Sequence, residues 1–430
     1  MSINLSFFAS LLIVCYVINL SETMRLFPLN NDVCIEILHQ AGVDVTDVKI
    51  IRHDLDAKST LQTGQSPNRE VFRLFIDYEK DSQTYNTTFL VKAPISSIMY
   101  NFLYKYGVYE KEFALYSKVF PEMSKLEQQS FSAKFIAGDD SKYINTLILE
   151  DIYSSGFNVK PPDALQHLNV HECQLVFEML GKFHALSIIL DKRELIPEIV
   201  KIIPEPENEY EDEDTCQDCD KARAYFDQGM NHFVQNLSPE IKEKYAEKLD
   251  SIKDNITDKV NEGMKNSLNV IAHGNLMPSK LLFKYNEENN VAEQVKLMDF
   301  QAAKWNPPLI DIFYLAITGM KFEDVQQHLD SLLEIYSTSM NELLKKHQVD
   351  LYPLEDLKND MRKQHLTFMW ICGVVLPLMN NPQVPVELDG YSFKEPLSAD
   401  SMATVYSSQT YVDAASKWFM FFVERGLFED

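Results

Sequence analysis

Glycine, cysteine and basic residues are all in short supply in this sequence. Only 13 of its 430 residues are Gly, well under the usual share of about 7%, so a glycine-rich phosphate-binding loop would be conspicuous. The six Cys residues are too few and too scattered to form the disulfide framework of a chain this long. Lys and Arg number 40 against 64 Asp and Glu, a formal charge of −24. This balance argues against a general nucleic-acid binder, because such a protein needs a basic face.

The rest of the composition is that of an ordinary globular protein. Hydrophobic residues make up 45% and charged residues 24% of the chain, which excludes a wholly disordered, collagenous or multi-span membrane protein. A length of 430 residues exceeds what one compact domain usually needs. We therefore expect two lobes or two domains.

The amino-terminal residues 1–24 contain an apolar stretch at 7–20 that is too short to span a bilayer comfortably and is closer to the core of a signal peptide. No Lys or Arg precedes it, no clean small-x-small cleavage site follows, and Met24 offers an alternative start. A signal peptide therefore stays open beside a start-site extension or a buried helix, and no stable membrane span is expected. Three sequons are compatible with secretion: Asn86, Asn236 and Asn255.

A strongly acidic stretch at 204–220 contains an isolated C-x-x-C pair, Cys216 and Cys219. A zinc site needs a second ligand pair at a defined spacing, and none is visible, so chance spacing, or a local disulfide in a secreted protein, explains the pair better. A calcium site would need a glycine-punctuated loop, which is missing. The stretch is predicted to be a solvated loop.

The residues before position 150 have the pattern of a small α+β lobe. A helical period covers 30–43, and a second helix is predicted over 108–127, with Pro121 breaking or restarting it. Runs rich in β-branched and aromatic residues predict four strands, the first two forming an antiparallel pair joined by a polar turn at 80–86. These strands are predicted at 71–77, 87–93, 133–137 and 146–152.

From Leu168 onward the pattern turns helical. Apolar residues recur at three- and four-residue steps, which predicts a long helix with one buried stripe, and further helical segments fill 221–267 and most of 309–430. Between them lies a β-like island with runs at 281–285 and 295–298. Polar residues at the ends of paired strands inside a helical lobe are one way in which a fold presents side chains into a cleft.

Six short motifs carry a resemblance to a known family. They are LVKAP at 90–94, EKEFALY at 110–116, LILEDIYSSGF at 147–157, GKFHALS at 181–187, AHGNLMPSKLLFKY at 272–285 and LMDFQAAKWNPPLIDIFYL at 297–315. In their order and spacing, the sequence resembles the ecdysteroid-kinase-like (choline/ethanolamine-kinase-like, or CHK) family of insects and nematodes. That family is distantly related to choline kinases, aminoglycoside phosphotransferases and protein kinases.

The resemblance covers about residues 40–425 and implies a bilobal, protein-kinase-like α+β fold. Residues 25–150 would form the N-lobe, a small antiparallel sheet with one helix. Residues 151–430 would form a larger, mainly helical C-lobe with a short β-hairpin at the catalytic cleft. The resemblance also implies a cytoplasmic protein, whereas a cleaved leader at 1–24 would make it secreted.

The chemistry implied by the family is phosphoryl transfer from ATP to a small-molecule hydroxyl, in which positioning and charge neutralisation carry most of the catalysis. Matched by motif, Lys92 would grip the α- and β-phosphates, and Glu112 would be its ion-pair partner. Asp299, in the metal motif 297–301, would hold magnesium. The backbone of a hinge would contact adenine, and this hinge comprises Glu150, Asp151 and Ile152.

Without the family, Lys92 and Glu112 would read as an ordinary solvated lysine and a helix-surface charge. Matched by motif to the family, Asp311 would be a structural carboxylate that steadies the catalytic loop at 272–283. His184 and His273 are predicted to be hydrogen-bonded core histidines rather than catalysts.

The catalytic loop departs from the family pattern at two positions. The family reads H-G-D, where the Asp accepts the proton of the substrate hydroxyl, and an Asn five residues later helps to bind metal. Here these positions are Asn275 and Lys280. An amide is a poor base near neutral pH, and an ammonium has no lone pair with which to ligate a cation. The paired loss is typical of a pseudokinase.

The loop expected to cover the nucleotide is also altered. It corresponds to residues 64–69, where Gly64 is followed by Pro67, which stiffens the backbone. Arg69 replaces the small residue at the point where backbone would approach phosphate. These changes weaken the case for tight ATP binding, although Arg69 could itself meet a phosphate.

Lys280 leads to a geometric prediction. If the two loops lie as in the family, Lys280 faces Asp299 across the metal position with a nitrogen–oxygen separation of about 4 Å or less. A fixed positive charge would then stand in place of magnesium and leave the cleft locally neutral.

Two functions from different classes follow. The first is a catalytically impaired pseudokinase that binds a small molecule or a partner, with no required cofactor. The second is an active ATP- and magnesium-dependent kinase acting on an ecdysteroid- or choline-like alcohol. The ligand would be sterol-like or an amino alcohol in either case. A third alternative is a helical lipid carrier, since 26 Phe and 20 Tyr make an apolar pocket possible.

Overall fold

The computed structural model describes residues 29–56, 71–93, 107–140, 146–160, 167–201, 229–253, 260, 262–264, 267–379 and 406–426. Several predictions fall outside these residues and stay predictions. They concern the leader at 1–24, the acidic stretch at 204–220 with its two cysteines, the sequon at Asn255, and the loop positions Gly64 and Arg69.

The first lobe is built on a five-stranded antiparallel sheet with the strand order β1-β2-β3-β5-β4. Alternate residues of β2 are buried against the helix α1 (Asn31–Gln40), as expected of a strand with one face on a core. The strands are β1 (Lys49–Asp56), β2 (Val71–Lys80), β3 (Gln83–Lys92), β4 (Phe135–Asp139) and β5 (Thr146–Glu150).

The opposite face of this sheet belongs to a larger core that extends into the second lobe. Leu90 and Leu149 join that core together with residues of a helix that contains a widened turn. The helix consists of α2 (Val108–Ala114), a π-helical turn (Leu115–Val119) and α3 (Phe120–Leu126).

The widened turn explains why Pro121 does not end the helix. In a regular α-helix the Pro121 ring would press against the carbonyl four residues earlier. Here the N–H of Phe120 instead donates to the carbonyl of Leu115, five residues back. The helix therefore continues to Leu126, and the predicted break at Pro121 becomes a local change of pitch.

The second lobe is mainly helical. Its helices are α4 (Val170–Lys192), α5 (Glu198–Lys201), α6 (Pro239–Lys244), α7 (Ala246–Lys253), α8 (Leu309–Gly319), α9 (Phe322–Lys346), α10 (Leu354–Lys363), α11 (His365–Val374), α12 (Leu376–Met379) and α13 (Gln409–Glu424). Helices α4 and α9 pack closely because Gly181 leaves room for the Tyr336 carbonyl, which a Cβ at this position would meet.

Among the described helices, α4 alone is long and apolar enough to cross a membrane by length and composition. Within its most apolar window, 78% is buried inside the protein. This burial is what the central helix of a folded lobe shows, and the Asn169–Glu172 capping box fixes where the helix begins.

Two small sheets interrupt the helices and carry the motif-bearing loops. Strand β7 (Val270–Ala272) pairs with β10 (Lys304–Asn306), and β6 (Asn158–Val159), β8 (Leu281–Tyr285) and β9 (Ala292–Leu297) form a three-stranded sheet. All these pairings are antiparallel. The catalytic loop runs from β7 to β8, and the metal motif runs from β9 towards β10.

Three strand predictions need correction. Strand β1 was missed, because its burial pattern does not alternate cleanly. The turn between β2 and β3 is only Asp81–Ser82, both with positive φ, as a two-residue hairpin turn requires. Residues 83–86, which follow the turn, pair with β2 although they are exposed. The sequence therefore has no hydrophobic period there that would predict a strand. Strand β4 lies two residues later than predicted.

Candidate active site

An ion-pair cluster joins the two lobes. The Nζ of Lys92, at the end of β3, lies 2.9 Å from the Glu112 Oε1 and 2.6 Å from the Asp299 Oδ1. The Glu112 Oε1 also accepts a hydrogen bond from the Phe300 N–H at 2.9 Å. Lys92 and Glu112 come from the first lobe, and Asp299 comes from the second, so the cluster ties the lobes together. Neither the Lys92–Asp299 bond nor the Phe300 contact was predicted.

Lys280 supplies a second cation to the same carboxylate. It is the last residue of a 3₁₀ turn, Pro278–Lys280, and its ammonium donates to the Asp299 Oδ2. The predicted proximity of Lys280 and Asp299 is therefore confirmed. Asp299 thus receives one ammonium on each carboxylate oxygen, and its side chain is only 3% exposed.

The backbone and the charge of Asp299 are both unusual. Its φ of 67° lies in the left-handed region, which Asp tolerates better than most residues but which still costs free energy. Burial disfavours the charged carboxylate, but the nearby charges of Lys280 and Lys92 outweigh it and hold the pKa of Asp299 well below its usual range. Burial dominates at Glu112 and raises the pKa of that carboxyl despite the Lys92 charge.

The loop that carries Asn275 is held by His273. The His273 Nε2 lies 2.9 Å from the Met298 carbonyl and therefore donates to it, which leaves Nδ1 to accept from the Asn275 N–H at 3.4 Å. Burial lowers the pKa of His273 and keeps the ring neutral, in agreement with this assignment. The Asn275 residue is 4% exposed, and its side chain makes no hydrogen bond to Asp299 or Lys280.

Asp311, in the first turn of α8, holds the start of this loop. Its carboxylate accepts from the His273 N–H at 2.7 Å and from the Gly274 N–H at 2.8 Å. The His184 Nε2 adds a third contact at 3.2 Å, and the His184 Nδ1 lies 2.9 Å from the Tyr336 hydroxyl. Since a carboxylate only accepts, His184 donates through Nε2 and accepts from Tyr336. The prediction that Asp311 steadies the loop is confirmed.

The segment between the lobes, residues 150–152, makes side-chain contacts that were not predicted from the sequence. The Asp151 carboxylate lies 2.9 Å from the Arg73 Nε and accepts from the Thr88 hydroxyl at 2.8 Å. The Ile152 N–H donates to the Glu150 carbonyl at 3.0 Å, so one backbone donor of the predicted adenine hinge is already used within the hinge. The available signal was Arg73 itself, the one charged residue among positions 71–76 of strand β2.

The donor set around Asp299 does not fit magnesium. Mg²⁺ needs oxygen ligands in near-octahedral geometry, but both Asp299 oxygens already accept from ammonium groups. Lys280 has no lone pair to offer. Within the parts of the chain that the structure describes, no group of three or more His, Cys, Asp or Glu residues could hold a metal ion.

The architecture and the cluster together define a bilobal α+β protein of the kinase-like fold. A family model described as the ecdysteroid kinase-like family matches residues 69–349, well over half of the sequence. The chain belongs to the ecdysteroid kinase-like family.

Comparisons with individual proteins add little to the family assignment. No curated protein matches the sequence. Among solved structures, the chain is similar to a mutant aminoglycoside 2'-phosphotransferase-IIIa in complex with GDP, with a TM-score of 0.43 and 10% sequence identity. That similarity covers 92% of this chain and 99% of the solved one.

Proposed function

We propose that this protein is a pseudokinase of the ecdysteroid kinase-like family, which binds a small molecule in its interlobe cleft without magnesium and transfers no phosphoryl group. The observation that carries the proposal is the Lys280 ammonium on the Asp299 Oδ2. A fixed cation stands where a metal ion would have to contact that oxygen. Lys280 thus supplies positive charge but cannot bridge phosphate oxygens as a metal does.

The proton acceptor of the reaction is also missing. Asn275 occupies the position of the family's catalytic Asp, and an amide does not take a proton from an alcohol near neutral pH. His273, which precedes it by two residues, does not replace it, because the neutral ring already uses both nitrogens in hydrogen bonds. Both losses act on the same step, the attack of a hydroxyl on the γ-phosphate.

The ligand that we propose for the cleft is a small sterol-like molecule or an amino alcohol. This choice rests on the family and not on a contact in the structure. Lys92 and Lys280 against Asp299 and Glu112 give a formally neutral cluster. A neutral cluster permits an uncharged ligand to approach without desolvating an unpaired charge.

The Lys92–Glu112 pair at 2.9 Å favours a second candidate, an active ATP-dependent phosphotransferase. This pair is what phosphate binding requires in kinase-like folds, and Asn275 would then only orient the hydroxyl. In this alternative Lys92 would bind the phosphates, and the Lys280–Asp299 pair would have to open.

A phosphate-transfer assay separates the two. The full-length protein is incubated with γ-labelled ATP and a panel of steroid and amino alcohols, with and without Mg²⁺. We expect no labelled product, and any thermal shift with ATP should be the same with and without Mg²⁺. Magnesium-dependent labelling of an alcohol by the wild-type protein would establish the second candidate instead. The Asn275→Asp/Lys280→Asn double variant serves as the comparison, because it restores both residue types that the family uses.

A further inference from the structure

A salt bridge spans one face of the five-stranded sheet, away from the cluster around Asp299. The Arg73 Nε lies 2.9 Å from the Asp151 Oδ2, and the Arg73 Nη2 donates to the Oδ1 at 3.4 Å. The Thr88 hydroxyl donates to the Oδ2 at 2.8 Å, and the Tyr153 N–H donates to the Oδ1 at 3.2 Å. Asp151 is only 3% exposed, so its carboxylate is paired on both oxygens and shielded from water.

This salt bridge lies on the face of the sheet that also carries Lys92. Thr88, Leu90 and Lys92 are two residues apart along β3, so their side chains share a face. Arg73 lies directly opposite Leu90 in the register of β2 and β3, and cross-strand partners also share a face. Leu90 belongs to the core that extends into the second lobe. The contact between Arg73 and Asp151 is therefore on the side of the first lobe that faces the second.

The Arg73 side chain crosses a whole strand to reach its partner. Strand β3 lies between β2 and β5 in the sheet, and Asp151 directly follows β5. Neighbouring strands are about 4.8 Å apart, so the salt bridge joins backbones that are on the order of 10 Å apart. Because Thr88 of β3 donates to the same carboxylate, the guanidinium lies over β3. The side chains of Arg73, Thr88 and Asp151 are called the latch below.

The latch lies where a long ligand of the cleft would have to pass. Phe89 of β3 is paired with Glu150, the last residue of β5, so the segment at 150–152 begins level with that part of β3. A nucleoside triphosphate with its phosphates on the Lys92 ammonium and its base against the backbone of 150–152 would run along this face of β3. The Arg73 side chain already covers the end of that path.

We propose that the latch excludes nucleoside triphosphates from the interlobe cleft, so that the cleft binds only ligands that end short of the segment at 150–152. This inference rests on the proposed function, in which the same cleft is the ligand site, and it adds the class of ligand that is kept out. Opening the latch would remove the Arg73 charge from the buried Asp151 carboxylate, which is costly. If about one molecule in ten or fewer has an open latch, the apparent affinity for a nucleotide falls by about tenfold or more.

Calorimetric titration of the full-length protein with ATP, with Mg²⁺ removed by EDTA, tests the latch. Arg73→Ala leaves a side chain too short to cross β3, and we expect the affinity for ATP to rise by on the order of tenfold or more. The Arg73→Ala/Asp151→Asn double variant should gain the same affinity, and it removes the buried carboxylate that the single change leaves without its cation. Arg52→Ala is the matched control, because the Arg52 side chain is 69% exposed on β1 of the same sheet, and its affinity should equal that of the wild type.

A gain of binding separates the latch from a purely structural salt bridge, whose loss would weaken the fold and any ligand site in it. The inference is wrong if the wild-type protein binds ATP as tightly as the double variant. It is equally wrong if the double variant, shown to be folded by circular dichroism, gains no affinity.

The phosphate-transfer assay keeps this result separate from the proposed function. A wild-type protein that binds ATP tightly but labels no alcohol would overturn the latch and leave the pseudokinase standing. Transfer of phosphate by the wild type would overturn the pseudokinase, and the affinities of the Arg73 variants would still decide whether the latch limits ATP binding.

Discussion

The Lys280 ammonium contacts the Asp299 carboxylate, the group that we propose would otherwise bind a metal ion. The Lys280 ammonium lies on the Asp299 Oδ2, while the Oδ1 is 2.6 Å from the Nζ of Lys92. An Asp with both oxygens paired in this way is already neutralised. The cluster holds the two lobes together through side chains of the protein itself.

Replacing Lys280 with Met should expose Asp299 to divalent ions. The side chain keeps its apolar length but loses its charge, so the Asp299 Oδ2 becomes available as an oxygen ligand. We expect the affinity for Mn²⁺, measured by electron paramagnetic resonance, to rise by roughly tenfold, which is about 1.4 kcal/mol. Lys284→Met, on the neighbouring strand β8, should bind Mn²⁺ no better than the wild type. Equal Mn²⁺ binding by wild type and Lys280→Met would contradict the metal-replacing role.

Asp311→Asn should destabilise the fold. One carboxylate oxygen becomes an NH₂ group, which turns a donor towards the N–H groups of His273 and Gly274 or towards His184. Losing a buried charged acceptor costs about 3 kcal/mol. Urea denaturation followed by circular dichroism measures the loss. A conservative change at an exposed acid, Asp250→Asn, should leave the free energy of unfolding within about 0.5 kcal/mol of the wild type.

The buried side chain of Lys304, in strand β10, predicts that the free energy of unfolding rises with pH above neutrality. The pKa of Lys304 is about 7 in the folded protein and near 10.5 when the chain is unfolded. Between these values the unfolded chain binds the additional proton, so the free energy of unfolding increases as pH rises. Lys304→Met should be more stable than the wild type at pH 6.5, by on the order of 3 kcal/mol.

That advantage should shrink steadily as pH rises from 7 and should vanish only above about pH 11, where the wild-type lysine is neutral in both the folded and the unfolded state. Urea titrations of both proteins at pH 6.5, 8 and 9.5 measure the difference between their free energies of unfolding. The titration of every other group is common to both proteins and cancels in this difference. A difference that stays constant across the range would mean that Lys304 is not a buried charge.

Gly274→Ala should disturb the loop that carries Asn275. Gly274 has a φ of 79°, and an added Cβ would meet the Ala302 carbonyl. Gly42 is the matched control, because its φ is 91° and nothing lies within 4 Å of an added Cβ. Gly42→Ala should therefore cost only the free energy of holding a residue with a Cβ at positive φ, about 1 kcal/mol. Thermal unfolding should show a clearly larger loss for Gly274→Ala, and equal losses would rule out the close contact.

Much of the fold could be read from the sequence, because strand β2 and helices α4 and α8 have strong apolar patterns. The proximity of Lys280 and Asp299 was also predictable, since the family motifs fix which loops face each other. Strand β1 was not, because its exposed residues alternate irregularly, and the first half of β3 is exposed on both faces.

The contacts that the sequence did not reveal join residues far apart in the chain. Lys92 and Asp299 are separated by 207 positions, and Arg73 and Asp151 by 78. Periodicity reports whether a residue is buried, but it does not identify the partner of a buried charge. Asp151 was assigned a role for its backbone, whereas its side chain makes the contacts with the sheet.

The π-helical turn at Leu115–Val119 has a consequence for the orientation of Glu112. An α-helix turns by about 100° for each residue, so the one extra residue held in the wide turn sets the angle between α2 and α3. Deleting Ser117 to leave a regular helix would swing Glu112 by about that angle around the helix axis while Phe120 stayed in the core. The Lys92 ammonium would then lose its ion-pair partner in the first lobe, although Glu112 itself is not substituted.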